Sequence, residues 1–262
     1  MFALIGVLLV SQAADPHPPA DKRRWADTET RGFVSTTLDA GYLYLKPRVS
    51  IGYGQPHYKW IGIDLNPLLT GNHVAGWAGV RASLPLVDLR VGVRYTHALR
   101  RNELNPDSSF DRFEVDQSGG GQATYTTLET ELSGGVAFKY AEVSGLTSVS
   151  YISGVSSGQY VFEEVLRILA EPPWVVRARA QVGFYLVPGY RNFTFGPAVD
   201  VLDSTKRGGV LVRAGVVVRV VLNRALEIRG NFVPAVASKD RLGLIHGDFT
   251  ELGIRYRWAS GE

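Results

Sequence analysis

From Gly32 onward the dominant signal along the chain is a period of two. In Val210–Leu222 every even position is apolar: Val210, Val212, Ala214, Val216, Val218, Val220 and Leu222. The odd positions between them carry Arg213, Gly215 and Arg219. One uniformly apolar face over so long a run predicts a strand, because a helix would place apolar residues three and four apart. Ala225–Phe232 sets Leu226, Ile228 and Phe232 against Glu227, Arg229 and Asn231. Leu252–Trp258 sets Leu252, Ile254, Tyr256 and Trp258 against Gly253, Arg255 and Arg257. Val87–Leu99 and Trp174–Leu186 alternate likewise, with Asp88, Arg90 and Arg94 on one polar face and Arg177, Arg179 and Gln181 on the other. The chain is all-β.

Alternation alone does not say whether the apolar face meets a protein core or lipid. Connection lengths favour lipid. Short turns near Leu84-Pro85, Lys139-Tyr140, Val187–Asn192 and Leu222–Ala225 alternate with long polar connections at Arg100–Gly121, Gly154–Pro172, Asp203–Gly208 and Ala237–Gly247. Outer-membrane barrels sort their loops in this way, and a soluble sandwich has no reason to. Counting back from the C-terminus gives ten strands beginning near His57–Leu65. Gly32–Gly54 adds two more if Lys46-Pro47-Arg48 is a turn. The expectation is a closed antiparallel transmembrane β-barrel over residues 32–258, with twelve strands, or ten as the alternative. Trp174, Phe184, Tyr95 and Phe138 near strand ends fit aromatic girdles.

The N-terminus adds an export reading. Met1–Val10 is almost unbroken apolar sequence, and Ser11 and Ala13 are the small residues expected before a signal-peptidase cut, so residues 1–13 are expected to be a signal peptide. Residues 14–31, with Pro16, Pro18 and Pro19, read as a periplasmic arm outside the core. No apolar run reaches the roughly 18 residues of a membrane helix. The 262 residues contain no Cys, which excludes disulfides, Cys-ligated metals and thiol nucleophiles. Twenty-eight basic against 25 acidic residues give a net charge of +3, too balanced for a nucleic-acid partner.

The last strand carries a more specific signal. Glu251-Leu252-Gly253-Ile254-Arg255-Tyr256-Arg257-Trp258 resembles the polar-x-Gly-x-x-aromatic-x-aromatic ending of bacterial outer-membrane β-barrel proteins. The resemblance implies an outer-membrane location, lipid as the surrounding partner, and Gly253, Tyr256 and Trp258 as an assembly signal read by the barrel-assembly machinery. Family members usually end on the aromatic, whereas here Ala259–Glu262 follow as a short tail.

If the apolar faces meet lipid, the polar faces line a lumen. Strand parity points Arg81, Arg90, Arg94, Arg177, Arg179, Arg213, Arg219, Arg229, Arg255 and Arg257 inward, together with Asp88, Glu129, Glu131, Glu142, Glu227 and Glu251. Ten arginines against six acids suggest a narrow, anion-favouring channel. A closed barrel braced by ion pairs and anchoring an envelope-spanning assembly is the alternative. No catalytic role is expected. The outer-membrane phospholipase pattern needs His-x-Ser, and none of His17, His57, His73, His97 or His246 is followed by it. His246 and Asp248, considered as a protease-like pair, read as part of a solvated outer loop. Asp107, Asp111, Glu114 and Asp116 lack calcium-loop spacing, Ser118–Gly121 reads as a tether, and no metal or cofactor is expected. Gln159–Glu171 breaks the period. Phe162, Val165, Leu166 and Leu169 recur at helical spacing, which predicts a short amphipathic helix that caps the mouth, lies on the membrane or docks other envelope proteins.

Overall fold

The computed structural model describes residues 17–41, 44–117, 121–187, 190–249 and 252–261. Numbered in chain order, twelve strands form the wall: β1 (Arg31–Gly41), β2 (Tyr44–Gln55), β3 (Lys59–Thr70), β4 (His73–Ser83), β5 (Val87–Ala98), β7 (Thr124–Ala137), β8 (Ala141–Ser153), β11 (Trp174–Val187), β12 (Tyr190–Ser204), β13 (Val210–Val221), β14 (Leu226–Phe232) and β16 (Gly253–Ala259). Each pairs antiparallel with the next, and β16 pairs with β1 from Gly253↔Gly41 to Ala259↔Ser35. The sheet therefore closes on itself and leaves no unpaired edge in the wall. The short strand β15 (Ala235–Ala237) runs beside β13. β6 (Glu103–Leu104), β9 (Tyr160–Glu163) and β10 (Ile168–Ala170) make a separate three-stranded sheet.

The burial pattern decides which face meets lipid. Ile51, Ile61, Ile63, Val80, Leu128, Leu132 and Ile254 are all exposed on the outside, while Asp64, Thr127, Ser150, Asp200, Arg213 and Glu227 are buried inside. A soluble sandwich would reverse this, and so continuous an apolar band is stable only against a membrane. Val216 faces outward and Leu211 and Arg213 inward, as the period in that strand requires. Aromatic rings mark both rims. Tyr53, Phe184, Tyr256 and Trp258 lie toward one end, and Tyr95 and the edge-to-face pair Tyr151–Trp174 toward the other.

From β5 onward connections sort by end except at 205–209. One end carries only short connections (56–58, 84–86, 138–140, the two positions between Val187 and Tyr190, and 222–225). The other carries the long loops 99–123, 154–173 and 238–252, but between β12 and β13, where a long loop was expected, only five residues. Two long-end connections, 42–43 and 71–72, are as short as any at the opposite end. The turn expected at Lys46-Pro47-Arg48 lies instead within β2, and the chain reverses between Gly41 and Tyr44. Proline is tolerated there because the β2–β3 ladder skips residues 46–48, and the Asn66 side chain donates to the Pro47 carbonyl at 2.7 Å.

Two glycines let the wall hold a flat-lying tryptophan. Trp77 points inward, and a Cβ on Gly92 would sit 2.5 Å from its ring and 2.4 Å from the Ala78 carbonyl. Gly79, paired with Gly92, would meet the same ring at 2.7 Å. The space goes to the indole, over which Arg90 stacks at 5.0 Å.

Candidate pore lining and its plugs

Inside the wall lies a cavity of about 470 Å³. Arg81, Arg90, Arg177, Arg179, Arg213, Arg219, Arg229, Arg255 and Arg257 border it, with Asp88, Glu129, Glu131 and Glu142. Arg94 and Glu227 are buried just outside it, and Glu251 lies outside the described residues. Parity on β1, β3 and β12 also turns Asp39, Asp64 and Asp200 inward, acids that a fuller strand-by-strand reading would have counted. Asp21, Glu163 and Asp248 come from segments whose inward path has no sequence period to reveal it.

With these acids included, each of the ten inward arginines has a carboxylate partner. Arg177 grips Asp200 through two bonds of 2.8 Å, and Arg213 shares the same carboxylate at 2.9 Å. Arg94 bridges Glu129 at 3.1 Å and Glu163 at 2.8 Å. Arg81 meets Asp64 and Asp88, Arg90 meets Glu131, and Arg179 meets Asp248. Arg219 pairs with Glu142 and Asp21, Arg229 with Glu227, Arg255 with Asp39 and Glu227, and Arg257 with Asp21 and Glu227. The ten-against-six tally is therefore corrected, since it omitted buried acids. A surplus of basic groups still borders the cavity. Among the described residues, thirteen Lys and Arg side chains line it against seven Asp and Glu, and counting Asp64, Asp200 and Glu227, which pair with lining arginines from just behind, narrows the surplus to three.

The short-turn end is covered by the segment expected to be a periplasmic arm outside the core. Residues 17–30 cross that end, touching its turns at His57, Leu84 and Arg224 and the strands β7 and β12 at Ala137 and Asn192. His17 exchanges two backbone hydrogen bonds with Ala137, and Lys22 donates to the Leu84 carbonyl at 2.7 Å. Arg24 bonds Asn192, Trp25 packs on His57 with ring centres 4.4 Å apart, and Arg224 stacks over Trp25 at 4.5 Å. Trp25 is 1% exposed. Gln55 donates to the carbonyls of Ala26 and Thr28, which fixes the last part of the segment at the rim. A single helical turn, Ala20–Arg23, aims Asp21 into the barrel and sets Lys22 2.5 Å from Asp88. Burial opposes ionisation of Asp21, but Arg219 and Arg257 outweigh it and hold its carboxyl well below the usual range. Proline-rich sequence without a period gives no sign of docking. Here the segment docks by side chains, which period-based reading does not detect.

The long-loop end is filled as well. The helix expected over Gln159–Glu171 is a β-hairpin, β9 and β10, folded into the barrel mouth. Val161, Phe162, Glu163, Leu166, Leu169 and Ala170 are buried there, and no residue from 159 to 171 is exposed. Phe162 opposes Leu169 across the hairpin, so residues that meet in a hairpin stand at intervals that imitate a helix. Arg213 holds the hairpin's turn by donating to the Leu166 and Arg167 carbonyls. Burial, and then the neighbouring Glu163, push Glu164 up to about 7, and its carboxylate lies 4.0 Å from His73.

His246 and Asp248 belong to this plug and not to a solvated loop. His246 is 1% exposed, stacks on Phe162 and lies 3.1 Å from the Ser238 hydroxyl. Burial lowers its pKa to about 4. Asp248 receives Arg179 and Asn231. Asp111 and Glu114 cap the helix Arg112–Gln117 reciprocally, each accepting from the other's backbone N–H, so these acids satisfy helix-terminal donors. His97 faces outward, bonded to Thr124.

Gly253, Tyr256 and Trp258 lie on the closing strand. A Cβ on Gly253 would sit 2.3 Å from the Ala40 carbonyl, so glycine permits the tight contact with β1. Tyr256 and Trp258 face outward. The tail beyond Trp258 stays attached, since Ser260 and Val34 exchange hydrogen bonds and Arg31 donates to the Ser260 carbonyl.

A closed twelve-stranded antiparallel wall, apolar outside and ionic inside, defines an outer-membrane-type β-barrel. No family model matches the sequence, and no curated protein is similar to it. Among solved structures, the NanC porin in a rhombohedral crystal form superposes with a TM-score of 0.37 at 14% identity, covering 87% of this chain and 97% of that one. The class rests on the wall of this chain, not on that superposition.

Proposed function

We propose that this barrel resides in the bacterial outer membrane, short turns toward the periplasm, and acts as a narrow, non-enzymatic channel favouring small anions. The observation that carries this reading is the polar cavity, with its surplus of basic over acidic side chains. An interior serving only as a brace would be filled by side chains, as small barrels are. Arg48 is the side chain with which to test selectivity, because it borders the cavity and donates to the Thr37 hydroxyl at 3.0 Å. Reversal potentials in a potassium chloride gradient across a planar bilayer should show anion preference, and Arg48→Gln should reduce it. A cation-selective pore refutes the proposal.

A second reading is favoured by one feature, the occupation of both ends. In that reading the barrel is a closed anchor for an envelope assembly, and its ion pairs serve rigidity. An intact barrel that conducts neither as the whole chain nor without residues 14–24 would support it.

A further inference from the structure

Asp21, like Glu163 and Asp248, reaches wall arginines from a segment outside the wall. Its partners, Arg219 and Arg257, stand on wall strands β13 and β16, but Asp21 itself is carried on a segment outside the wall. Asp21 Oδ1 lies 3.4 Å from Arg219 and Oδ2 3.0 Å from Arg257, so the two oxygens of one carboxylate are divided between two guanidiniums. That is how a pair of arginines binds a carboxylate solute. Arg257 also holds Glu227, and Arg219 also holds Glu142, so both guanidiniums are fixed in place by the wall.

The segment bearing Asp21 is lightly attached. Among the described residues from His17 to Arg24, the backbone joins the wall through the His17–Ala137 pair, Ala20 packs buried against it, and Asp21, Lys22 and Arg24 add side-chain contacts. Trp25 and the Gln55 bonds to Ala26 and Thr28 form a separate anchor at the rim. Residues 17–24 are thus a flap hinged on a fixed base, with a carboxylate at its tip.

We propose that Arg219 and Arg257 form a binding seat for small carboxylate solutes, occupied in this structure by the chain's own Asp21, and that such a solute displaces the flap by competing for the seat. The inference rests on the channel reading for its purpose, but the seat itself does not require conduction. When Asp21 leaves, the two guanidiniums keep their wall partners and lose one negative charge. A solute carboxylate restores that charge, and a small one fits a cavity of about 470 Å³.

The absence of cysteine makes the flap directly measurable. Ala20, on the flap itself, is 7% exposed where the flap packs on the barrel, so Ala20→Cys introduces a single thiol shielded while the flap is docked. Maleimide labelling of this variant should be slow in chloride and faster in succinate or acetate at equal ionic strength. Adding Asp21→Asn should accelerate labelling about tenfold in chloride, the loss expected for one charged hydrogen-bonded contact, and remove the response to succinate. Equal rates in chloride and succinate would overturn the seat, as would an unchanged rate in Asp21→Asn. The succinate comparison needs no change at the seat, so it stands even if Asp21→Asn fails to fold. Planar-bilayer conductance after removal of residues 14–24 separates the two ideas. Succinate-dependent labelling without a pore retains the seat and refutes the channel. A pore without succinate dependence does the reverse.

Discussion

At the scale of single residues, the barrel inverts the usual placement of charge, and each consequence is a matter of one position along a strand. Val216 faces lipid midway along β13, and its neighbour Val217 borders the cavity. Val216→Arg should cost roughly 2–4 kcal/mol at the bilayer midplane, while Val217→Arg places its charge among carboxylates and water. The check is recovery of heat-modifiable barrel from membranes, which should fall for the first variant only. Glu164 makes a second case. A carboxyl whose folded pKa is raised binds its proton more tightly when folded, so its contribution favours the fold at low pH and is lost as pH rises through about 7. Glu163, Arg167, Arg100 and His73 are the charged or titratable groups around it. Amide protection of the 160–170 hairpin should therefore be greater at about pH 5.5 than at about pH 8, and Glu164→Gln should flatten that difference.

Among elements, what the sequence made legible follows from which surroundings each one has. Wall strands have lipid on one side and a polar interior on the other, so their alternation is strict and the count of twelve could be read. The hairpin Tyr160–Ala170 is enclosed on both faces, all three residues of β10 are buried, and alternation disappears. The acids on β1, β3 and β12 were legible by parity, but Asp21 was not, because a single helical turn among prolines has no period. The glycine pair beneath Trp77 gives the element-scale prediction. Gly92→Val would drive a side chain into the indole and the Ala78 carbonyl, an overpacking that typically costs about 1–3 kcal/mol. The temperature at which the compact gel band is lost should fall, and an unchanged transition would show that the indole can move aside.

The whole molecule is a closed wall with material packed into both ends. Unboiled protein should migrate apart from boiled protein on a denaturing gel, since a sheet without edges resists detergent until heated. Its plug also reverses the order of events in time. Residues 17–24 precede every wall strand in the chain, yet Asp21 binds Arg219 and Arg257, about two hundred positions later. A contact of that sequence separation forms in full only once both β13 and β16 stand in the wall. An unfinished barrel is one that has not yet sealed itself, so the same carboxylate that covers the short-turn end also signals that the wall is complete.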